Sequence, residues 1–226
     1  MPARDDKVRF DWQKSLPRDR ELDPLILDIA RPRERVLDLG CGRGELLSKL
    51  KQEKQVREQG IELNADHVAD CLARGLSVIQ ADLEEGLHDF LGDYFDLVIL
   101  NQVLLTVKTP LTLLQQALRI GQRVVVTFPN FAHWRIRLKL MFQGRLPLNQ
   151  TLPYKWYETP EIRVTTIKDF QELCRELQAE ILEQRFFQLN YLMHNRKISF
   201  WPNLRSTVAL FCLRQNSSFA QEEILK

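Results

Sequence analysis

The sequence predicts an α/β fold built on a doubly wound, mostly parallel sheet of seven strands. Strand-length apolar runs alternate with helical patterns from residue 25 to about 130, which implies right-handed βαβ crossovers. The run Tyr94–Leu100 reads as a continuous apolar strand, as expected at the centre of a parallel sheet covered on both faces. Near the end, Glu180–Leu189 and Ser206–Leu213 read as two strands joined by residues 190–205, an antiparallel hairpin closing the sheet.

Taken in order, residues 1–22 are polar and basic and read as a loose arm. Asp23-Pro24 reads as a cap and first-turn proline, opening a helix that runs through Ile29 and is ended by Arg31-Pro32. The first strand is Arg35–Leu39, followed by a helix from Gly44 to about Lys51. The run Gln55–Leu63 ends in a second strand, Gly60-Ile61-Glu62-Leu63. Ala65–Arg74 carries Val68, Cys71 and Leu72 at helical spacing, with Gly75 as its stop. Leu76–Gln80 is the third strand and Tyr94–Leu100 the fourth. A helix over Leu111–Ile120 ends at Gly121, and Arg123–Phe128 is the fifth strand, closed by Pro129-Asn130. Phe131–Leu146 fits two patterns: a helix with Trp134, Leu138 and Met141 on one face, or an extended segment with period two. The irregular, proline-rich stretch that follows makes residues 131–165 a lid or insertion. Thr166–Ala179 is an amphipathic helix with Ile167, Phe170, Leu173, Cys174 and Leu177 on one face. Residues 23–214 thus read as one domain, and 215–226 as a polar tail.

Composition removes several classes. The chain has 226 residues, 44% hydrophobic and 27% charged, with a net charge of +2. That is a globular composition, too near neutral to argue for nucleic acid. No apolar run reaches the roughly 18 residues that span a bilayer, so no membrane is expected. The opening MPARDDKVRFDWQKSLPRDR has no apolar core of a secretory signal. The four cysteines, Cys41, Cys71, Cys174 and Cys212, form no C-x-x-C pair. Free thiols in a reducing cytoplasm explain them better than disulfides. The histidines are scattered, so no metal site is expected.

The chemistry concentrates in Val36-Leu37-Asp38-Leu39-Gly40-Cys41-Gly42-Arg43-Gly44. It reads as a buried strand turning through alternate glycines into a helix whose free N–H groups face the turn. A dinucleotide fingerprint needs G-x-G-x-x-G, whereas here the third glycine comes one residue early and Glu45 follows it. There is no G-K-[ST], so a P-loop is excluded as well. The plain alternative is an ordinary strand–turn–helix corner. The spacing D-L-G-C-G-R-G resembles the first motif of class I S-adenosylmethionine-dependent methyltransferases, which implies their Rossmann-like fold. By that resemblance Gly40, Cys41, Gly42 and Gly44 line the methionine part of the cofactor. Asp38 anchors the loop and the cofactor ammonium.

In open α/β sheets ligands gather at the carboxyl ends of the strands where strand order reverses. Glu62, with its neighbour Leu63, ends the second strand, where a carboxylate can accept from both ribose hydroxyls. Asp82 follows the third strand and can accept from the adenine amino group, with the Leu83 N–H donating to the ring. Asn101 ends the fourth. Each alone could be a solvated turn residue; one per strand end favours a site. The cofactor sulfonium and ammonium suit the negative charge of Asp38, Glu45, Glu62 and Asp82.

No catalytic residue is assigned. The N-P-P-[YF] signature is absent after the fourth strand, where Asn101-Gln102-Val103-Leu104 stands instead. His133 could act as a base, cap a turn or face solvent. Cys41 suits packing better than nucleophilic attack. The runs Phe128-Pro129-Asn130-Phe131-Ala132-His133-Trp134-Arg135-Ile136-Arg137, Leu152–Pro160 and Thr166-Ile167-Lys168-Asp169-Phe170 resemble the MetW family of bacterial methionine-biosynthesis proteins. The resemblance covers residues 33–190. Arg43 departs from the acidic or small residue usual there, and the arm and residues 190–205 also differ. The resemblance implies a cytoplasmic accessory protein that binds S-adenosylmethionine or S-adenosylhomocysteine and assists a MetX-type homoserine O-acyltransferase. An active methyltransferase on a small-molecule acceptor is the alternative. Segment 131–160 would then be a lid, a docking surface or packing over the sheet.

Overall fold

In the computed structural model the described residues are 17–85, 87–146, 155, 159, 162–188 and 196–216. The N-terminal sixteen residues of the expected arm, most of the proline-rich stretch, the segment 189–195 and the tail from 217 lie outside them. The chain runs α1 (Pro17–Ile29), β1 (Arg35–Leu39), α2 (Glu45–Lys54), β2 (Arg57–Glu62), α3 (Ala65–Ala73), β3 (Val78–Gln80), β4 (Leu97–Asn101), α4 (Pro110–Ile120), β5 (Val124–Pro129), α5 (Trp134–Gln143), α6 (Ile167–Glu176), β6 (Glu180–Gln188), β7 (Arg196–Lys197), α7 (Pro202–Arg205) and β8 (Val208–Arg214). One sheet has the order β3-β2-β1-β4-β5-β8-β6-β7. Strands β1 to β5 pair in parallel, and β8 is antiparallel to both β5 and β6. The expected seven strands are all present. The eighth, β7, is a two-residue addition at the β6 edge.

Strand alternation sorts the core into two layers. Leu37, Leu39, Val98, Leu100, Val124 and Val126 face α4 and α6. Val36, Leu97, Ile99 and Val125 face α1 and α2. Burial on both faces is why these strands read as unbroken apolar runs. Asp38 shares its parity with Val36, which directs it to the α1/α2 layer.

Three boundaries differ from expectation. Asp23-Pro24 does not open α1, which begins at Pro17 and carries Pro24 inside it. Leu22, Ile26 and Ile29 are buried at helical spacing, so the apolar stripe extends upstream of the proline and outweighs the hydrogen bond it removes. Strand β4 starts at Leu97: Tyr94 is exposed, and Phe95 makes only an isolated bridge to Gly121. The third strand keeps only Val78–Gln80, on the sheet edge with Ile79 exposed. The segment at 134–143 resolves as a helix, α5, capped by His133 and stopped by Gly144 in the left-handed conformation.

Candidate cofactor site at the carboxyl ends of the strands

Strand order reverses between β1 and β4, and the glycine loop rises from β1 at that point. Gly40, Gly42 and Gly44 adopt φ of 75°, 55° and 73°, a region that L side chains enter at a cost. Their roles differ. A Cβ on Gly40 would meet Val103 at 2.6 Å, and one on Gly44 would meet Leu76 at 2.4 Å and Cys71 at 2.8 Å. A Cβ on Gly42 would meet nothing within 4 Å. Gly40 and Gly44 are small because protein lies against them; Gly42 faces open space.

The loop is tied to β2. The N–H groups of Gly40 and Cys41 both donate to the Ile61 carbonyl, at 2.8 and 3.1 Å. The Gly42 N–H donates to Glu62 Oε2 and the Asn64 N–H to Glu62 Oε1, each at 2.9 Å. Glu62 therefore clamps the loop, and each carboxylate oxygen keeps further acceptor capacity for a hydroxyl donor. His67 Nδ1 stands 3.7 Å from Glu62 Oε1.

Asp38 is 2% exposed, and its Oδ1 is buried with no hydrogen-bond partner among the described residues. Burial, then the neighbouring carboxylates Asp23 and Glu62, push its pKa up to about 8. Asp23 comes from α1, is itself 3% exposed, and accepts from Lys49 Nζ at 2.6 Å. Sequence reading took Asp23 for a helix cap. Only the packing of α1 on α2 brings it to Asp38.

The remaining strand-end residues divide. Asp82 Oδ1 accepts from the Glu84 N–H at 3.0 Å and orders the turn after β3. Leu83 packs partly buried against the core, whereas Leu63 is exposed. The Ala81 N–H donates to the Glu62 carbonyl at 3.2 Å, which sets the Asp82 turn beside the end of β2. Asn101 Oδ1 accepts from Thr127 Oγ1 at 2.6 Å, joining the ends of β4 and β5. Glu45 stands 3.9 Å from Arg74, so its charge is partly offset there. Arg43 pairs with Asp70.

Cys41 packs with Leu47, Cys71 and Leu76 beneath the loop, and burial raises its thiol pKa far above the ordinary value. It is a packing residue. Gly60 makes room for it: a Cβ there would lie 2.6 Å from Cys41 Sγ. His133 caps α5, with Nδ1 accepting from the Arg135 N–H at 3.3 Å. That bond assigns the proton to Nε2. Burial, helped by Arg135, lowers the pKa of His133 to about 4. A ring with its free lone pair engaged and so low a pKa is a weak base at neutral pH. The nearby Asn130 is fully buried; its side-chain amide donates to the carbonyls of Asn203 and Ser206 at 3.0 and 2.9 Å, and its Oδ1 accepts from the Ala132 N–H. Asn130 holds β5, α5 and α7 together, a role visible beforehand only as an Asn after Pro at a strand end. Among the described residues no cluster of three or more His, Cys, Asp or Glu side chains is arranged to hold a metal. No described helix is long and apolar enough to cross a membrane.

The arrangement can accept donors from a cation and from hydroxyls, and among the described residues Cys41 and His133 are placed for packing and capping. Comparison with known proteins places the chain in a family and a fold. Residues 20–213 match the family described as methionine biosynthesis protein MetW. A bifunctional methionine biosynthesis protein MetXA/MetW from Rhodopirellula baltica is 34% identical over 174 residues, 73% of this chain. The match spans only 28% of that relative's length. A S-adenosylmethionine-dependent methyltransferase from Archaeoglobus fulgidus superposes with a TM-score of 0.62 at 17% identity, covering 86% of this chain and 91% of its own. The cyclase SpnF superposes with a TM-score of 0.60, also at 17% identity, covering 87% of this chain and 81% of its own. At such identities the structures share a fold and nothing finer.

Proposed function

We propose that this chain, which belongs to the MetW family of methionine-biosynthesis proteins, binds S-adenosylmethionine or S-adenosylhomocysteine in the loop after β1 and serves a homoserine O-acyltransferase as an accessory subunit. The observation that carries the cofactor reading is the orphaned, buried Oδ1 of Asp38. A buried carboxyl without a partner is costly unless something supplies a donor, and an amino-acid ammonium does so. A Cβ on Gly42 would meet nothing within 4 Å, so the loop is open at that residue. The spare acceptor capacity of Glu62 and the nearness of the Asp82 turn to the end of β2 support a ribose and an adenine ring there. When bound as the sulfonium, the cofactor supplies an activated methyl group. The chain's own residues bind and orient it.

The accessory role is supported by the relative's name, which joins MetXA and MetW in one polypeptide, and by the weak basicity of His133. The chain is read as a cytoplasmic protein on the same family basis. Calorimetric titration with each adenosyl ligand tests the site. Binding of at least one, abolished by Asp38→Ala, is expected; no binding of either overturns it. Acyltransferase activity measured with and without this chain tests the role, and an unchanged rate counts against it.

A further inference from the structure

Helix α5 carries apolar residues on two opposite sides. On one side Ile136 is buried against the body, 2% exposed. On the other, Trp134, Leu138, Met141 and Phe142 fall at i, i+4, i+7 and i+8, a single stripe, and all four are exposed, Met141 and Phe142 by 67% and 76%. A helix with two apolar faces is built to be sandwiched, and this body covers one of them. Phe200 and Trp201 stack at 5.1 Å, also exposed, on the segment that Asn130 ties to the lead-in of α5. Trp201 holds φ of +50° as the residue that opens α7. Large exposed aromatic and Met side chains along one helix face mark an interface core.

Charge selects the occupant. From Phe131 to Leu146 there is no acidic residue, while Arg135, Lys139 and Arg145 are exposed. Arg135 sits 5.3 Å over the Trp134 ring, at the edge of the stripe. A second copy meeting this face about a two-fold axis would set these cations against their own counterparts. A whole-chain charge of only +2 gives little attraction to an anionic bilayer. The complement is a different protein that presents an apolar patch ringed by carboxylates. We propose that the solvent-facing stripe of α5 is the surface on which the homoserine O-acyltransferase docks. The identity of that partner rests on the accessory reading above.

The test is sedimentation velocity and calorimetry with the full chain and the purified MetX-type acyltransferase of the same organism. Met141→Glu/Phe142→Glu removes the stripe. Leu91→Glu, at an equally exposed position (74%) outside it, is the control. Melting temperature and adenosyl-ligand binding should be unchanged in both, since neither position is buried or part of the cofactor site. The wild type and the control are expected to bind, the double variant at least about 100-fold more weakly. Binding of the wild type should weaken as salt is raised. If the double variant binds as well as the wild type, the surface is wrong and the accessory reading stands. If the wild type does not bind, the accessory reading falls and this partner with it. A wild-type dimer dispersed by the double variant would assign the stripe to a second copy. Wild-type binding to phosphatidylglycerol vesicles, lost in the double variant, would assign it to a membrane. Either result overturns the proposal.

Discussion

Asp38 is a carboxyl group kept where its charge is disfavoured. With its pKa near 8, it holds its proton at pH 7 until a cation arrives. In the proposed binding mode a ligand ammonium beside it would favour the carboxylate, and binding at pH 7 would expel that proton. Titration of S-adenosylhomocysteine at pH 7 in buffers of different ionisation enthalpy is expected to show release of close to one proton (about 0.9 from a pKa near 8). The release should vanish in Asp38→Asn. Equal proton counts in the two proteins would show that another group is linked to binding. Asp38 was legible in the sequence because a polar residue interrupting a strand just before a glycine turn has few places to point. Its partner Asp23 was not legible, because only tertiary packing brings α1 to it. Glu45 shows the converse: its position beside the loop promised negative charge, yet its side chain lies by Arg74.

At the scale of the element, the loop between β1 and α2 separates glycines that serve packing from one that serves access. Gly42→Val is expected to abolish adenosyl-ligand binding in calorimetry. Its cost in stability should be only about 1–2 kcal/mol, the penalty for a side chain in left-handed backbone. Cys41→Ala should keep binding within about threefold, because the thiol lies beneath the loop and the cost falls on packing. Equal losses of binding in the two variants would contradict this division. The alternation of glycines revealed the turn, since turn chemistry is local. It did not reveal which glycine faces the open side, because that depends on Val103, Leu76 and Cys71 from elsewhere in the chain. Helix α5 is a harder case. Its sequence fits a helix and an extended segment alike, and its exposed stripe looks, in one dimension, like a core stripe.

At the scale of the whole molecule, two buried groups give the ligand-free protein a pH–stability profile that is level in mild acid and falls above it. His133 has its pKa lowered, to about 4, so it contributes stability that is full above its unfolded value of roughly 6.5 and is lost as pH falls toward 4. Asp38 has its pKa raised, to about 8. Its contribution is full below the unfolded value of roughly 3.9 and is lost as pH rises toward 8. Between pH 4 and 6.5 the two trends oppose each other; above 6.5 only that of Asp38 remains. Thermal melts of the ligand-free chain are therefore expected to show a decline in melting temperature from pH 6.5 to 8. Asp38→Asn should remove that decline, and a profile in the variant as steep as in the wild type would show that its cause lies elsewhere. The fold class was legible almost throughout, because alternating strand and helix patterns leave few architectures open; the strand order came only with the structure. The family's fold is shared with a cyclase, and for that reason the site, more than the architecture, must carry the functional reading.

The clamp made by Glu62 has a kinetic consequence. Its two oxygens tie the Gly42 and Asn64 N–H groups to the end of β2, so the turn takes its shape from the chain's own hydrogen bonds. Capture then needs no loop to fold first. If the proposed adenosyl ligand binds there, its encounter rate is expected to follow solvent viscosity in stopped-flow measurements.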